Sequence, residues 1–469
     1  MKSLSQIQAK LKTGELTVYE ITNYYLNNIH KNQHLNAFIE VFSNEALKEA
    51  KKIDRKKHKG KLAGLVIAIK DNICYKEHKV SAASKILENY VSPYSATAVE
   101  RLLYEDAIII GRTNCDEFAM GSSGEKSAFG KTLNPLDNTK VPGGSSSGSA
   151  AAVAADCCLA ALGSDTGGSV RQPASFCGLV GLKPTYGLVS RWGLIAYASS
   201  FDQIGILTKN IEDNAKILQV IAGPDEKDTT LKPDTLPDFN NLSLNINSNP
   251  FKIAILKETM QYPALNNLIL KKIKNITHLL KNSAIQVHEI SFPWLNYIVP
   301  TFHVLAPAEA MSNLARYDGT NFGYRVPLEK NDVDLITKTR SKGFGKEVKQ
   351  RILTGAYVLQ KNNGALYKKA LKIRHLIKTK TERIFDDYDF IISPTTPDVA
   401  FEFGERDKNP ESMFLEDIYL MHANLTGNPA ISLPLGKHPS SLHFGIQIMA
   451  KKFDEKKLFA FSNYLMNKM

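Results

Sequence analysis

No histidine stands between His78 and His278 of this 469-residue chain, although eleven occur elsewhere. The gap bears on chemistry, because a serine is a poor nucleophile until a base takes its proton, and histidine is the usual base. Cysteine is scarce too. Its five copies (Cys74, Cys115, Cys157, Cys158, Cys177) are odd in number and show no C-x-x-C spacing, which argues against both a disulfide framework and a zinc site. Adjacent Cys157 and Cys158 read as small core residues, in keeping with a reducing, cytoplasmic setting. No run approaches 18 apolar residues. The nearest, 150–162, is alanine-rich and broken by Asp156, so no membrane span is expected. The first residues enter a helical pattern (Leu4, Ile7, Leu11) with no signal-type apolar block.

What is present describes a soluble globular protein: 43% hydrophobic and 23% charged residues. The net charge of +12 is built from clusters such as Lys51-Lys52, Arg55-Lys56-Lys57, Lys271-Lys272 and Lys368-Lys369. Such a balance favours anionic partners, nucleic acid included, although each cluster taken alone reads as a solvated surface.

Along the chain, 3–12 and 17–31 have amphipathic helical spacing, the second with Thr17 as its N-cap, and 44–57 is a charged helix. An apolar strand is expected over 64–69, a helix over 97–106 and a strand over 107–110. That succession suggests a βαβ unit and a largely parallel sheet. Runs at 253–256, 390–392 and 430–433 are further strand candidates. Residues 223–250 are polar and proline-punctuated and read as a connection.

Two glycine/serine loops carry the chemistry: Gly143-Gly144-Ser145-Ser146-Ser147-Gly148-Ser149 and Asp165-Thr166-Gly167-Gly168-Ser169. Gly144-x-Ser146-x-Gly148 satisfies the nucleophile-elbow pattern, but the proline-bearing stretch before it is no strand. Gly143-x4-Gly148 has P-loop spacing, but Ser149 stands where the phosphate-binding lysine belongs. A flexible linker would not account for the second loop, flanked by Asp165 and Arg171. A helix over 149–156 is about 12 Å long. A strand over 158–162 is about 16 Å long and returns the chain to the same level. Both loops then meet at one sheet edge, where Lys70 leaves its apolar strand. Glycines let consecutive N–H groups face one space and hold an oxyanion, with Ser169 as nucleophile. Lys70 serves as base if burial pulls its pKa well below about 10.4.

Lys70-Asp71-Asn72, the first loop, and Gly163-Ser164-Asp165-Thr166-Gly167-Gly168-Ser169-Val170-Arg171-Gln172-Pro173-Ala174 together resemble the amidase-signature family of serine hydrolases. The resemblance runs nearly end to end. It implies an α/β fold, a single domain with a large mixed sheet covered by helices on both faces: a helical region to about 60, a signature core to about 222, the connection, and a remainder completing sheet and pocket. It implies a triad of Lys70, Ser145 and Ser169, in which Lys70 deprotonates Ser145 and Ser145 relays the proton of Ser169, with a cis bond at Gly144–Ser145. Oxyanion donors would be the amides of Thr166, Gly167, Gly168 and Ser169.

Further stretches (83–87, 116–123, 183–187, 312–319) are similar to the branch of the family that hydrolyses glutamine for tRNA-dependent amidotransferases. For that substrate the resemblance implies Arg351 and Asp417 as readers of the α-carboxylate and α-ammonium, with Ser122 and Ser123 beside them. It also implies a heterotrimer with a B subunit that binds tRNA and uses ATP and Mg, and a small C subunit. This chain would hold no metal or other cofactor itself. A stand-alone amidase of the same fold is the alternative. Two positions depart from the family pattern: Ser147 replaces a glycine, and Phe302-His303 stands where a tyrosine pair is expected.

Overall fold

In the computed structural model, which describes residues 3–232, 236–243, 251–283, 285–327, 334–406 and 416–469, the strands join one sheet. They are β1 (Phe38–Val41), β2 (Val66–Lys70), β3 (Ile108–Thr113), β4 (Ala160–Asp165), β5 (Val180–Lys183), β6 (Gln203–Thr208), β7 (Lys252–Leu256), β8 (Gln286–Ile290), β9 (Phe390–Pro394), β10 (Ala430–Lys437) and β11 (His443–Ala450). Their order is β1-β3-β2-β4-β6-β5-β10-β11-β9-β7-β8. Strands from before and after residues 223–250 therefore share hydrogen bonds in one sheet. Within that connection, 233–235 and 244–250 lie outside the described residues.

The βαβ expectation holds locally, since β2 and β3 pair in parallel around the helix Thr97–Tyr104. The largely parallel sheet does not. Parallel pairing joins β2 to β3 and β4, and β7 to β8 and β9; the centre, from β4 through β6, β5, β10 and β11 to β9, is antiparallel. The central strands include short, glycine-bearing segments such as Val180–Lys183, whose sequence carries no clear period.

Both sheet faces are packed. Along β7, Ile253 and Ile255 belong to one apolar cluster and Ala254 and Leu256 to another, and β9 alternates likewise through Phe390, Ile391 and Ile392. Side chains alternate between sheet faces, so the two clusters are cores on opposite sides. Strands buried on both faces read as unbroken apolar runs, which is why Val66–Ile69 was legible as a strand.

The N-terminal helices follow their caps. Thr17 accepts from the backbone of Glu20, whose carboxylate returns the bond, a reciprocal box that starts the helix Val18–Lys31. The charged helix runs Ser43–Asp54 and stops short of the expected 57. Asp54 is used instead to hold the first turn of the neighbouring helix, accepting from the amides of Val18 (2.7 Å) and Tyr19 (3.0 Å).

Candidate active site

Parallel pairing of β2 with β4 (Ile67 beside Ala160, Ile69 beside Leu162) brings their C-terminal ends to one edge. Lys70 ends β2; Ser164 and Asp165 end β4. The first serine loop feeds the helix Ser147–Ala154, whose residues through Val153 are buried against the same strands. Gly148 lets the start of this helix approach the backbone of Ala37 and Asn114: a Cβ there would lie 2.3 Å from the carbonyl oxygen of Ala37. Ser147 opens this helix with ordinary backbone geometry, so its replacement of glycine demands no left-handed φ.

Lys70 is wholly buried. Its Nζ lies 2.7 Å from Ser145 Oγ, 3.1 Å from Ser146 Oγ and 2.9 Å from Ser164 Oγ. Three hydroxyls thus lie within hydrogen-bond distance of the one amine. Asn72 Nδ2 donates to Ser164 Oγ at 2.9 Å and fixes that hydroxyl. Burial pushes the lysine amine down to about 8, against the opposing pull of nearby acidic groups, Asp116 and Asp165 among them. The peptide bond between Gly144 and Ser145 is cis. Ser146 N donates to the carbonyl of Ser169 at 3.1 Å, tying the two serine loops together.

A buried ion pair shapes the second loop. Asp165 accepts from Arg171 Nε and Nη2 (both 3.0 Å), from Gly168 N (2.9 Å) and from Val170 N (3.2 Å). Asn424 Nδ2 adds a fifth bond at 2.9 Å. Burial opposes the Asp165 charge, but Arg171 outweighs it and holds the carboxyl far below its usual range. Gly168 sits at φ 126°, where a side chain is strained, and a Cβ there would strike Leu420. The four amides expected to face an oxyanion differ in their partners. The amide of Gly168 is already bonded to Asp165, whereas those of Thr166, Gly167 and Ser169 meet no acceptor among the described residues. Three amides, not four, are free to face an oxyanion.

Ser169, Thr166 and Gly167 line a cleft with Ser122, Tyr197, Phe302, His303, Arg351 and Asp417. Arg351 is carried on the helix Lys346–Gln360 and oriented by Glu347 (Nε–Oε1 2.8 Å) and Tyr197 (Nη1–OH 2.7 Å). Asp417 accepts from Ser122 Oγ at 2.6 Å and Gln172 Nε2 at 3.2 Å. Gln172 Oε1 in turn accepts from Gly144 N at 2.9 Å, linking the carboxylate to the serine loop. Burial raises Asp417 to about 7. The cleft thus holds one fixed cation and one titrating carboxylate. Phe302 packs its ring on Gly167, and His303, driven down to about 3 by burial and by Arg351, stands as a neutral imidazole. Ser123 does not line the cleft; it is buried behind it, against Gly144.

Sequence reasoning missed Asn72, Asp116, Ser164, Gln172 and Tyr197. Asp116 is wholly buried and accepts from Gly124 N (3.0 Å) and Lys126 N (2.9 Å), fixing the turn that backs Gly144. Asn72, Ser164 and Gln172 lie beside the lysine and serine motifs, but Asp116 and Tyr197 lie far from them along the chain and carry no local signal.

A family model described as Amidase matches residues 20–459. The chain belongs to the amidase family. Among curated relatives of this chain, the A subunit of glutamyl-tRNA(Gln) amidotransferase from Fusobacterium nucleatum is 48% identical over 99% of this chain and 96% of its own. The protein of the same name from Prochlorococcus marinus is 46% identical over 98% and 96%. The crystal structure of the corresponding A subunit of glutamyl-tRNA(Gln) amidotransferase from Thermotoga maritima superposes with a TM-score of 0.78 at 39% identity, covering 95% of this chain and 93% of that one. Among the described residues of the chain no helix is long and apolar enough to cross a membrane, and no group of three or more His, Cys, Asp or Glu is suited to a metal.

Proposed function

We propose that this chain is the glutamine-hydrolysing subunit of a tRNA-dependent amidotransferase, supplying ammonia for the conversion of Glu-tRNA(Gln) to Gln-tRNA(Gln). The reading rests above all on one juxtaposition: a buried lysine of lowered pKa, 2.7 Å from Ser145, beside a cleft that holds both Arg351 and Asp417. A free α-amino acid carries one carboxylate and one ammonium. A guanidinium and a carboxylate in one cleft complement it, the first in bidentate geometry. The curated relatives, nearly equal in length to this chain, carry the corresponding name.

In the proposed reaction, neutral Lys70 accepts the proton of Ser145 as Ser145 takes that of Ser169. Ser169 Oγ attacks the side-chain amide carbon of glutamine, and the carbonyl π electrons move onto oxygen. The amides of Thr166, Gly167 and Ser169 hold that oxyanion, a contribution of about 3–4 kcal/mol for a donor of this kind. Collapse breaks the C–N bond, and the proton returns through Ser145 to the leaving nitrogen, releasing ammonia. Water, deprotonated by the same relay, then cleaves the glutamyl ester to give glutamate and free Ser169. Arg351 and Asp417 hold the α-groups throughout, with Ser122 orienting Asp417. Ammonia passes to a cytoplasmic B subunit that binds tRNA and consumes ATP with Mg, in a heterotrimer with a small C subunit. This chain acts as one domain and contributes no cofactor.

The test is glutamine-dependent amidation of Glu-tRNA(Gln) by the co-purified complex. Ser169→Ala should lower glutamine hydrolysis by at least about a thousandfold, the scale of losing a nucleophile from a concerted set. Amidation driven by added ammonium chloride should survive. Steady hydrolysis of simple aliphatic amides by the chain alone, with no response to partners, would instead establish a stand-alone amidase.

A further inference from the structure

Half of the chain's net positive charge sits in fourteen residues at the sheet edge opposite the nucleophile. Residues 48–61 carry eight lysines and arginines against two acidic residues, a net six of the chain's twelve charges, and all eight are exposed. Both acidic residues are occupied. Asp54 caps the neighbouring helix, and Glu49 pairs with Lys52. Lys56 and Lys61 are matched by Asp106 and Glu105. Lys48, Lys51, Arg55, Lys57 and Lys59 have no carboxylate partner among the described residues.

These side chains border a groove. Lys48, Lys51, Lys52 and Arg55 line it with Tyr19, and no carboxylate does. Lys51 Nζ lies 4.9 Å from the centre of the Tyr19 ring. Around the same edge Tyr104 is 85% exposed and lines a second groove. There Lys61 is paired with Glu105, Arg101 is bonded to backbone carbonyls and Glu100 adds a carboxylate, so the phosphate-binding part of this edge is the first groove. Resting on the function proposed above, we infer that this edge is a docking surface for the phosphodiester backbone of RNA, with the exposed Tyr104 offered to an unstacked base. Unpaired cations along a groove gain from counterion release when they meet phosphates, and a run of basic residues beside an exposed aromatic ring fits RNA better than an acidic protein face. The segment leads into β2, whose far end is Lys70, a strand of about 16 Å away. RNA seated here leaves the glutamine cleft open.

The test measures tRNA binding by the full chain and by its co-purified complex across a salt series. Lys51→Gln, Arg55→Gln, Lys57→Gln and Lys59→Gln combined should reduce the slope of log affinity against log salt by roughly 3, hence lower affinity roughly a thousandfold at 0.1 M salt. A second variant that replaces the three lysines by arginine should keep wild-type binding. A control with Lys361, Lys368, Lys369 and Lys372 changed to Gln should change neither quantity. Equal losses in the control overturn the inference, as does loss of a protein subunit from the complex with tRNA affinity intact, which would assign the edge to an acidic protein. Normal glutamine hydrolysis and amidation with an unaltered KM for tRNA in the glutamine variant overturns this surface alone, not the proposed function.

Discussion

Replacing Lys70 by methionine separates the two consequences of burying an amine beside the serines. Methionine keeps the length of the side chain and removes the titrating group. Burial lowers the amine from 10.5 to about 8, and at 1.36 kcal/mol per pH unit the charged form is disfavoured by about 3 kcal/mol in the native state. The first consequence is kinetic. At pH 7 a lysine of pKa about 8 is neutral in about one molecule in ten, against about one in three thousand at its ordinary pKa. At saturating glutamine, kcat should rise about tenfold per pH unit up to about 8 and then level. The methionine variant should lose hydrolysis at every pH.

The second consequence is thermodynamic, and its sign is fixed by linkage. Between pH 8 and 10.5 the unfolded chain still holds the lysine proton while the native state has shed it, so native stability rises with pH. Below 8 both states are protonated and the destabilisation is fully present. Urea unfolding at pH 7 and pH 10 should therefore show the wild type gaining about 2–3 kcal/mol relative to Lys70→Met over that interval. The other lysines cancel in the difference. The absolute stability difference at one pH is less telling, because methionine also leaves the hydroxyls of Ser145, Ser146 and Ser164 without their buried partner, at about 1–3 kcal/mol. A stability difference unchanged between the two pH values, together with a kcat already level at pH 6, would refute a lysine held at low pKa by burial.

Three further outcomes are expected. Asp417, raised to about 7, must ionise to receive an ammonium, so KM for glutamine should climb as pH falls below 7 while kcat keeps its own limb; Asp417→Asn should raise KM throughout and erase that pH dependence. Gly148→Ala gains up to about 1 kcal/mol of helix propensity, but its Cβ would sit 2.3 Å from backbone at Ala37, so denaturant titration should show a net loss of about 1–3 kcal/mol. Asp165→Asn strands Arg171 as a buried uncompensated charge, and thermal or urea unfolding should register about 3–5 kcal/mol of destabilisation, with hydrolysis lost in whatever remains folded.

Residues whose role follows from local pattern were legible in the sequence. Lys70 announces itself as a lysine at the end of an unbroken apolar strand upstream of the two serine loops, and the histidine-free stretch between His78 and His278 removes its competitor. The glycines of the second loop point to an exposed backbone, and the helix-out, strand-back lengths place the two serine loops at one level. Arg351 and Asp417 are different. Nothing in Lys349-Gln350-Arg351 or Glu416-Asp417-Ile418 sets them apart from surface charge, and only the resemblance to a family selects them. The antiparallel centre of the sheet was hidden for a related reason: short strands such as Val180–Lys183 and Gln203–Thr208 contain glycine and are buried throughout, so they alternate too little to declare a period.

The supporting polar residues could not have been read locally, because burial makes their chemistry. Asn72, Ser164 and Asp116 are ordinary polar residues until the sheet closes over them; each then has fixed partners within 3.0 Å. Asp165 illustrates the step most plainly. Exposed, it would be a loop carboxylate; buried against Arg171, it occupies the amide of Gly168 and leaves those of Gly167 and Ser169 unengaged. The same closure that depresses the Lys70 amine therefore also selects which backbone donors remain for the oxyanion. Base strength and oxyanion geometry are set by one packing event, and a substitution that opens the core beneath Asp165 should impair both together.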